Sequence, residues 1–385
     1  MRINFENGLS RDFPMTVFEL EDALDRLGTD NSVVDFRISE HENPDLPRSL
    51  CRDFTADIYK LNLFAQRYES LDDAELAAMK SLLITNPDSS IDDLLLMTYG
   101  LDSVLMFLCF DYTELGEIVI ENEMMPELES CSDEILELLD REKIGRLMCE
   151  RNGGVFIDGY YCVPSNYEAP DINIEFGRPE NCFFRLLIAP IKENNVPDYS
   201  SAQWISLPFD EENQDIDFEK MTCVKWESSL PALSQNQLQI GKIYELNALS
   251  KELSGLSHAN FVKLKAVMES QRFEEISDAI ECINCLDNYG FTENICNEGE
   301  FGREYLSRNL PNDFDLSVLD NIDLENFGSK ILCRKGALST SYGVVHGENM
   351  DLFSAVTIQR SQQLDEDLDE DYEENFEMEI GGMSL

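Results

Sequence analysis

Positive charge is scarce in this chain: its 385 residues hold 29 Lys and Arg against 77 Asp and Glu, a formal net charge of −48. The few cations are scattered and form no basic run, which excludes a nucleic-acid groove of the usual kind. Histidine is scarcer still. His41, His258 and His346 stand in no Ser-His-Asp or Cys-His order, so imidazole catalysis has no candidate and no enzyme is expected. No stretch approaches the length of a membrane span, and Met1-Arg2-Ile3-Asn4-Phe5 lacks a signal-peptide apolar region, so a cytoplasmic protein without membrane contact is expected. Phosphate loops and dinucleotide fingerprints are missing too; Gly153-Gly154 reads as a helix stop before a strand. The 11 cysteines are odd in number and irregular in spacing, which fits buried thiols rather than a disulfide framework. Cys282-x-x-Cys285 with Cys296 and His258 lacks the second close pair of a zinc site and reads instead as the buried side of a helix, beside Ile283 and Leu286. No metal or cofactor is expected.

What the chain does have is enough apolar material to fold, 43% of residues with 10% aromatic. The acidic residues alternate with apolar ones at helical spacing, so the charge belongs to folded elements and not to a disordered polyanion. Self-repulsion on this scale destabilises a compact state. Duplex DNA carries one charge per roughly 1.7 Å, so the surplus matches the phosphates of about 24 base pairs. That magnitude suits an imitation of DNA.

The sequence also repeats itself. Ile58-Tyr59-Lys60-Leu61-Asn62-Leu63 recurs as Ile243-Tyr244-Glu245-Leu246-Asn247-Ala248, an offset of 185 that carries Leu71 onto Leu256, Lys80 onto Lys265 and Leu83 onto Met268. Glu114-Leu115-Gly116-Glu117 then resembles Glu300-Phe301-Gly302-Arg303, and Ile144-Gly145-Arg146 resembles Phe327-Gly328-Ser329. Each copy opens on strands. In the first, Thr16-x-x-Glu19 is a capping box for a helix to Leu27, with Leu20, Leu24 and Leu27 inward and Glu21, Asp22 and Asp25 toward solvent; Val33 to Ile38 is a strand. In the second, strands are expected near 183–189, 203–207 and 222–226. Helical sections follow at about 57–100 and 242–287. Val155-Phe156-Ile157 and Tyr160-Tyr161-Cys162-Val163 flank Asp158-Gly159, a strong hairpin signal because that pair tolerates positive φ.

These motifs, in this order, resemble the ArdA antirestriction proteins. The closing pattern of Leu139-Asp140, Ile144-Gly145-Arg146 and Gly154-Val155-Phe156 carries the likeness, repeated as Phe327-Gly328 and Leu338 to Val345. Trp204-Ile205-Ser206-Leu207-Pro208-Phe209 and Ile240-Gly241-Lys242-Ile243-Tyr244-Glu245-Leu246-Asn247 carry it at the front of the second copy. The resemblance implies an α+β fold, an elongated chain of small lobes in two tandem ArdA-like copies. Copy one is 1–163 (an α/β lobe at about 1–56, a helical lobe at 57–110, an α/β lobe at 111–163) and copy two is 182–356 (182–240, 241–297 and 298–356). A linker at 164–181 joins them, and 357–385 is an acidic tail expected to be disordered. Family members resemble bent duplex DNA and block type I restriction-modification enzymes at the DNA site; they are single-copy proteins that dimerise. Two copies in one chain leave open a homodimer or an intramolecular pseudo-dimer.

The carboxylates that would imitate phosphates are Glu21, Asp22 and Asp25, then Asp111, Glu114, Glu117 and Glu121 along one side of a helix that buries Leu115, Ile118 and Val119. Glu127, Glu129, Asp133, Glu134, Glu137 and Asp140 are expected to continue that series. The second copy supplies Glu274, Glu275, Asp278 and Glu281, then Glu298, Glu300 and Glu304, then Asp313, Asp315, Asp320 and Asp323. The expected function is inhibition of type I restriction-modification enzymes by occupation of their DNA groove. Its partners would be the DNA-binding subunits of those enzymes or other DNA-binding defence proteins, with no direct nucleic-acid binding. The alternative is an acidic module or chaperone for basic nucleic-acid-binding proteins, acting mainly through the tail; salt adaptation is a further reading of the same composition.

Overall fold

The computed structural model describes residues 1–170, 181–192, 196–211, 216–234, 236–271, 273, 275–311, 317 and 322–354. The linker segment 171–180 and the tail from 355 lie outside them. The fold is α+β, several small lobes each holding an antiparallel sheet or a helical group.

The first half opens with β1 (Arg2–Phe5), β2 (Ser10–Asp12), α1 (Val17–Leu27), β3 (Val33–Ile38) and β4 (Asp53–Asp57), the strands in the order β2-β1-β3-β4. Thr16 caps α1, its Oγ1 accepting from the Glu19 amide at 3.3 Å while Glu19 accepts from the Thr16 amide at 2.7 Å. Three helices follow, α2 (Ile58–Glu69), α3 (Asp73–Thr85) and α4 (Ile91–Met97). The closing lobe holds β5 (Leu105–Leu108), α5 (Tyr112–Glu121), α6 (Asp133–Leu136), α7 (Arg141–Asn152), β6 (Val155–Ile157) and β7 (Tyr160–Val163), its sheet ordered β5-β7-β6. Asp158 and Gly159 turn the β6–β7 hairpin with φ of 49° and 87°.

The second half runs β8 (Phe184–Pro190), β9 (Gln203–Leu207) and β10 (Met221–Ser228), then α8 (Ile243–Leu253), α9 (His258–Ser270) and α10 (Ile276–Asn284). It closes with β11 (Tyr289–Glu293), α11 (Glu298–Asn309), α12 (Leu324–Lys335), β12 (Leu338–Thr340) and β13 (Gly343–Gly347), the sheet ordered β11-β13-β12.

Two pieces of geometry recur in both halves. Asn62 of α2 holds both main-chain groups of Met15, accepting from its amide at 2.7 Å and donating to its carbonyl at 2.9 Å. Asn247 of α8 does the same to Phe209, at 2.8 and 3.2 Å. In the closing lobes, α5 and α7 cross with Gly116 against Gly145 so closely that a Cβ on either would lie within 2 Å of a carbonyl oxygen, 1.8 Å from that of Arg141 and 1.9 Å from that of Tyr112. Gly302 and Gly328 make the same crossing of α11 and α12, with Cβ positions 2.4 and 1.8 Å from the carbonyls of Leu324 and Glu298. These positions need glycine for close approach, in both halves alike.

The lobes divide differently from the sequence expectation. In each half the first sheet and the helices share one hydrophobic core, running from Ile3 and Phe5 through Phe64 to Met97 in the first and from Phe184 through Leu249 to Ile276 in the second. Each closing lobe has a core of its own, around Leu115, Val119 and Tyr161 in one and Phe301, Ile331 and Val344 in the other. β5 and β11, placed in the helical lobes at 57–110 and 241–297, pair instead with the closing sheets, because β7 and β13 supply their ladder partners.

Candidate functional site

The acidic series begins at α5. Asp111 is its N-cap, accepting from the amides of Thr113 and Glu114 at 2.8 and 3.0 Å, and Glu114 reaches back to the Phe110 amide at 2.8 Å. Both remain exposed, so each serves the helix start and still presents negative charge. Glu117 lies 3.7 Å from Arg141. Glu121, in the last turn, is exposed.

The expected continuation of this helix to Asp140 does not form. Pro126 has no amide to donate, and its ring would clash with the carbonyl of Asn122, so α5 stops at Asn122 and Glu123 takes φ 49°. Residues 122–132 are turns, pinned by buried Met125 and Leu128, and helix resumes only as the single turn α6. The carboxylates of this stretch are exposed all the same. Glu127 makes a two-pronged bond to Arg151 at 2.8 and 3.0 Å, and that bond holds its carboxyl below the usual range. Asp140 caps α7 through the Lys143 amide at 3.2 Å and meets the Lys143 ammonium at 3.0 Å, which likewise depresses it. Glu121, Glu129, Asp133, Glu134 and Glu137 have no cationic partner among the described residues.

The second half is less open. Glu275 pairs with Lys242, and Asp278 is half-buried where it accepts from the Glu275 amide at 2.9 Å. Glu300 accepts from the Cys296 amide at 2.9 Å, the counterpart of Glu114. Glu298 and Glu304 are half-buried, Glu304 beside Arg308 at 2.6 Å. Asp323 caps α12 through the Asn326 amide at 3.0 Å, the counterpart of Asp140, and Glu281 is exposed. Glu274, Asp313, Asp315 and Asp320 lie outside the described residues.

Asp22 and Asp25 do not belong to any exposed surface. Each is 7% exposed, because α1 packs its supposed solvent side against the second half. Lys265 of α9, with 1% of its side chain exposed, donates to Asp22 at 3.1 Å and to Asp25 at 2.6 Å. Arg26 bonds Asp22 at 2.7 Å and lies over the Tyr342 ring, and the Tyr342 hydroxyl donates to Asp22 at 2.6 Å. Glu269 and Ser341 complete the cluster around Arg26. Burial pushes the Asp22 carboxyl up, but Lys265, Arg26 and the Tyr342 hydroxyl outweigh it and hold the group below its ordinary value; burial and Asp22 together push the Tyr342 phenol up. Glu21 is half-buried and also engaged. The polar stripe of α1 is therefore an internal joint between the halves, and sequence reading missed Lys265, Arg26 and Tyr342. The available signal was a lysine set between Leu264 and Ala266, both fully buried.

Burial pushes Cys162, Cys282 and Cys296 up to about 11, although Cys285, expected on a buried helix side with Cys282, is exposed just past the end of α10. Among the described residues no helix is long and apolar enough to cross a membrane. A scan against protein-family models finds no match, and a search of curated proteins finds no relative.

Proposed function

We propose that this protein is a non-enzymatic antirestriction protein of ArdA type, acting in the cytoplasm, which presents carboxylates in place of DNA phosphates and inhibits type I restriction-modification enzymes by occupying the groove of their DNA-binding subunits. The observation that carries this reading is the exposed series from Asp111 to Asp140, five members of which lack a cationic partner among the described residues while folded elements fix where the series sits. Carboxylates so placed meet arginine and lysine of a DNA groove through charge-assisted hydrogen bonds, and the surrounding field steers the encounter. With Asp22 and Asp25 withdrawn from the surface and Asp278, Glu298 and Glu304 half-buried, this reading favours the first half's closing lobe as the contact, with Glu281, Glu300 and Asp323 among the exposed carboxylates of the second half. Burial pushes the Cys162 and Cys282 thiols up, which weighs against chemistry at those two.

The rival reading places binding in the acidic tail. A chain ending at residue 363 separates the two: inhibition of type I restriction is expected to persist, and its complete loss would transfer the activity to the tail.

A further inference from the structure

The repeat builds a seat for a helix in both halves, and the residues that line it differ. α3 and α9 are each 13 residues long and start in register, which sets Lys80 and Ile84 where Lys265 and Glu269 stand. The two-residue turns of the closing hairpins correspond as well, Asp158-Gly159 to Ser341-Tyr342, because Ile157 pairs with Tyr160 as Thr340 pairs with Gly343. Phe110 takes the place of Cys296, its amide donating to Glu114 as that of Cys296 donates to Glu300. In the second half the seat is filled by α1. Asp22, Asp25 and Arg26, at i, i+3 and i+4, meet Lys265, Glu269 and Tyr342 there, and the Arg26 carbonyl lies 3.7 Å from the Cys296 thiol.

In the first half the seat is open and its chemistry has changed. Glu269 has become Ile84, Tyr342 has become Gly159, and Cys296 has become Phe110, whose ring lies against Gly159. Ile84, Phe110 and neighbouring Leu108 are 60%, 71% and 68% exposed, and nothing among the described residues covers them. Lys80 is already paired with Asp158 at 2.6 Å, so it needs no carboxylate from outside. A helix seated here as α1 is seated in the second half must therefore carry apolar side chains where α1 carries Asp22, Asp25 and Arg26. The border of the seat sets the rest of that helix's chemistry. Asp111, the first of the acidic series on α5, follows Phe110 directly, and Glu114 holds the Phe110 amide; neither carboxylate has a cationic partner among the described residues. Such a border calls for lysine or arginine.

We infer that this seat takes a basic amphipathic helix of the DNA-binding subunit that the acidic series occupies. Its apolar side chains at i, i+3 and i+4 pack on Ile84, Leu108 and Phe110, and its flanking cations reach Asp111 and Glu114. The inference rests on the reading of that series as a stand-in for DNA, and adds to it a contact that phosphates cannot make. A second copy of the chain lacks this chemistry in the one helix known to fill the seat, since the polar stripe of α1 is already buried in its own joint.

Displacement of a labelled duplex from the DNA-binding core of a type I enzyme, at about 0.1 M and about 0.5 M salt, tests it. Ile84→Ser, Leu108→Ser and Phe110→Ser combined should raise the inhibition constant roughly 30-fold or more, and by the same factor at both salts, because salt screens charge but not apolar contact. The thermal transition should be kept, since all three side chains are exposed. Tyr199→Ser, 66% exposed elsewhere, should inhibit as the wild type does. A triple variant as potent as a wild type that displaces the duplex would overturn the inference and leave the antirestriction reading standing. Wild-type protein that displaces no duplex would overturn both. A loss that fades as salt rises would also overturn the inference, as would substitutions that dissociate a dimer of the free chain without changing inhibition, which would give the seat to a second copy.

Discussion

Replacing Lys265 with methionine keeps most of the stem and removes the ammonium that holds Asp22 and Asp25. Deleting one partner of a buried ion pair costs about 3–5 kcal/mol, since the remaining charge has lost both water and its counter-ion. Asp22 keeps Arg26 at 2.7 Å and the Tyr342 hydroxyl at 2.6 Å, while Asp25 keeps, among the described residues, the exposed His258 at 3.3 Å. The cost therefore falls toward the lower end, about 3 kcal/mol. Trp204 and Trp226, both in the sheet of the second half, report unfolding by fluorescence. At a slope of about 2 kcal/mol per molar urea the midpoint should fall by roughly 1.5 M. Adding Asp22→Asn and Asp25→Asn to Lys265→Met should restore at least half of the loss, because no buried charge is left unpaired. The pH dependence has a definite sign. The Asp22 carboxyl is depressed in the folded chain, so its contribution is present above the ordinary value of 3.8 and lost as pH falls through the lower folded value. The gap between wild type and Lys265→Met should accordingly narrow below pH 3.8. An unchanged midpoint in the single variant, or a triple variant as unstable as the single, would refute the joint.

Two further outcomes are expected. Converting Glu121, Glu129, Asp133, Glu134 and Glu137 to their amides removes five exposed charges at about 0.5 kcal/mol each, weakening inhibition of a type I enzyme roughly 50- to 100-fold at low salt and much less at high salt, with folding unaltered by circular dichroism. Gly145→Ala forces α5 and α7 apart, since its Cβ would sit 1.9 Å from the Tyr112 carbonyl oxygen; a loss of about 1–3 kcal/mol should show as faster amide exchange in that lobe, whereas Gly241→Ala, with open space around it, should not.

Local chemistry made much of the fold readable. The Thr16 capping box, the Asp158-Gly159 turn and the helical periods of α2 and α8 depend on near neighbours, and they lie where periodicity and turn preferences put them. The glycines at 116, 145, 302 and 328 were visible as repeated residues, but their reason, two helix backbones in contact, is a matter of tertiary structure. The fate of Asp22 and Asp25 was hidden for the same reason. A polar stripe on a helix looks alike whether it faces water or a lysine 240 residues away, and only packing tells them apart. The break after Glu121 was written in the chain, in Pro126, and was overridden by the regular run of acidic residues around it.

The most direct test of the proposed function is displacement of a labelled duplex of about 24 base pairs, its length set by the charge equivalence, from the DNA-binding core of a type I restriction-modification enzyme. Full displacement by one competitor, with an inhibition constant that rises steeply with salt, is the result expected of a surface standing in for phosphates. A ternary complex that holds the protein and the duplex together would contradict it.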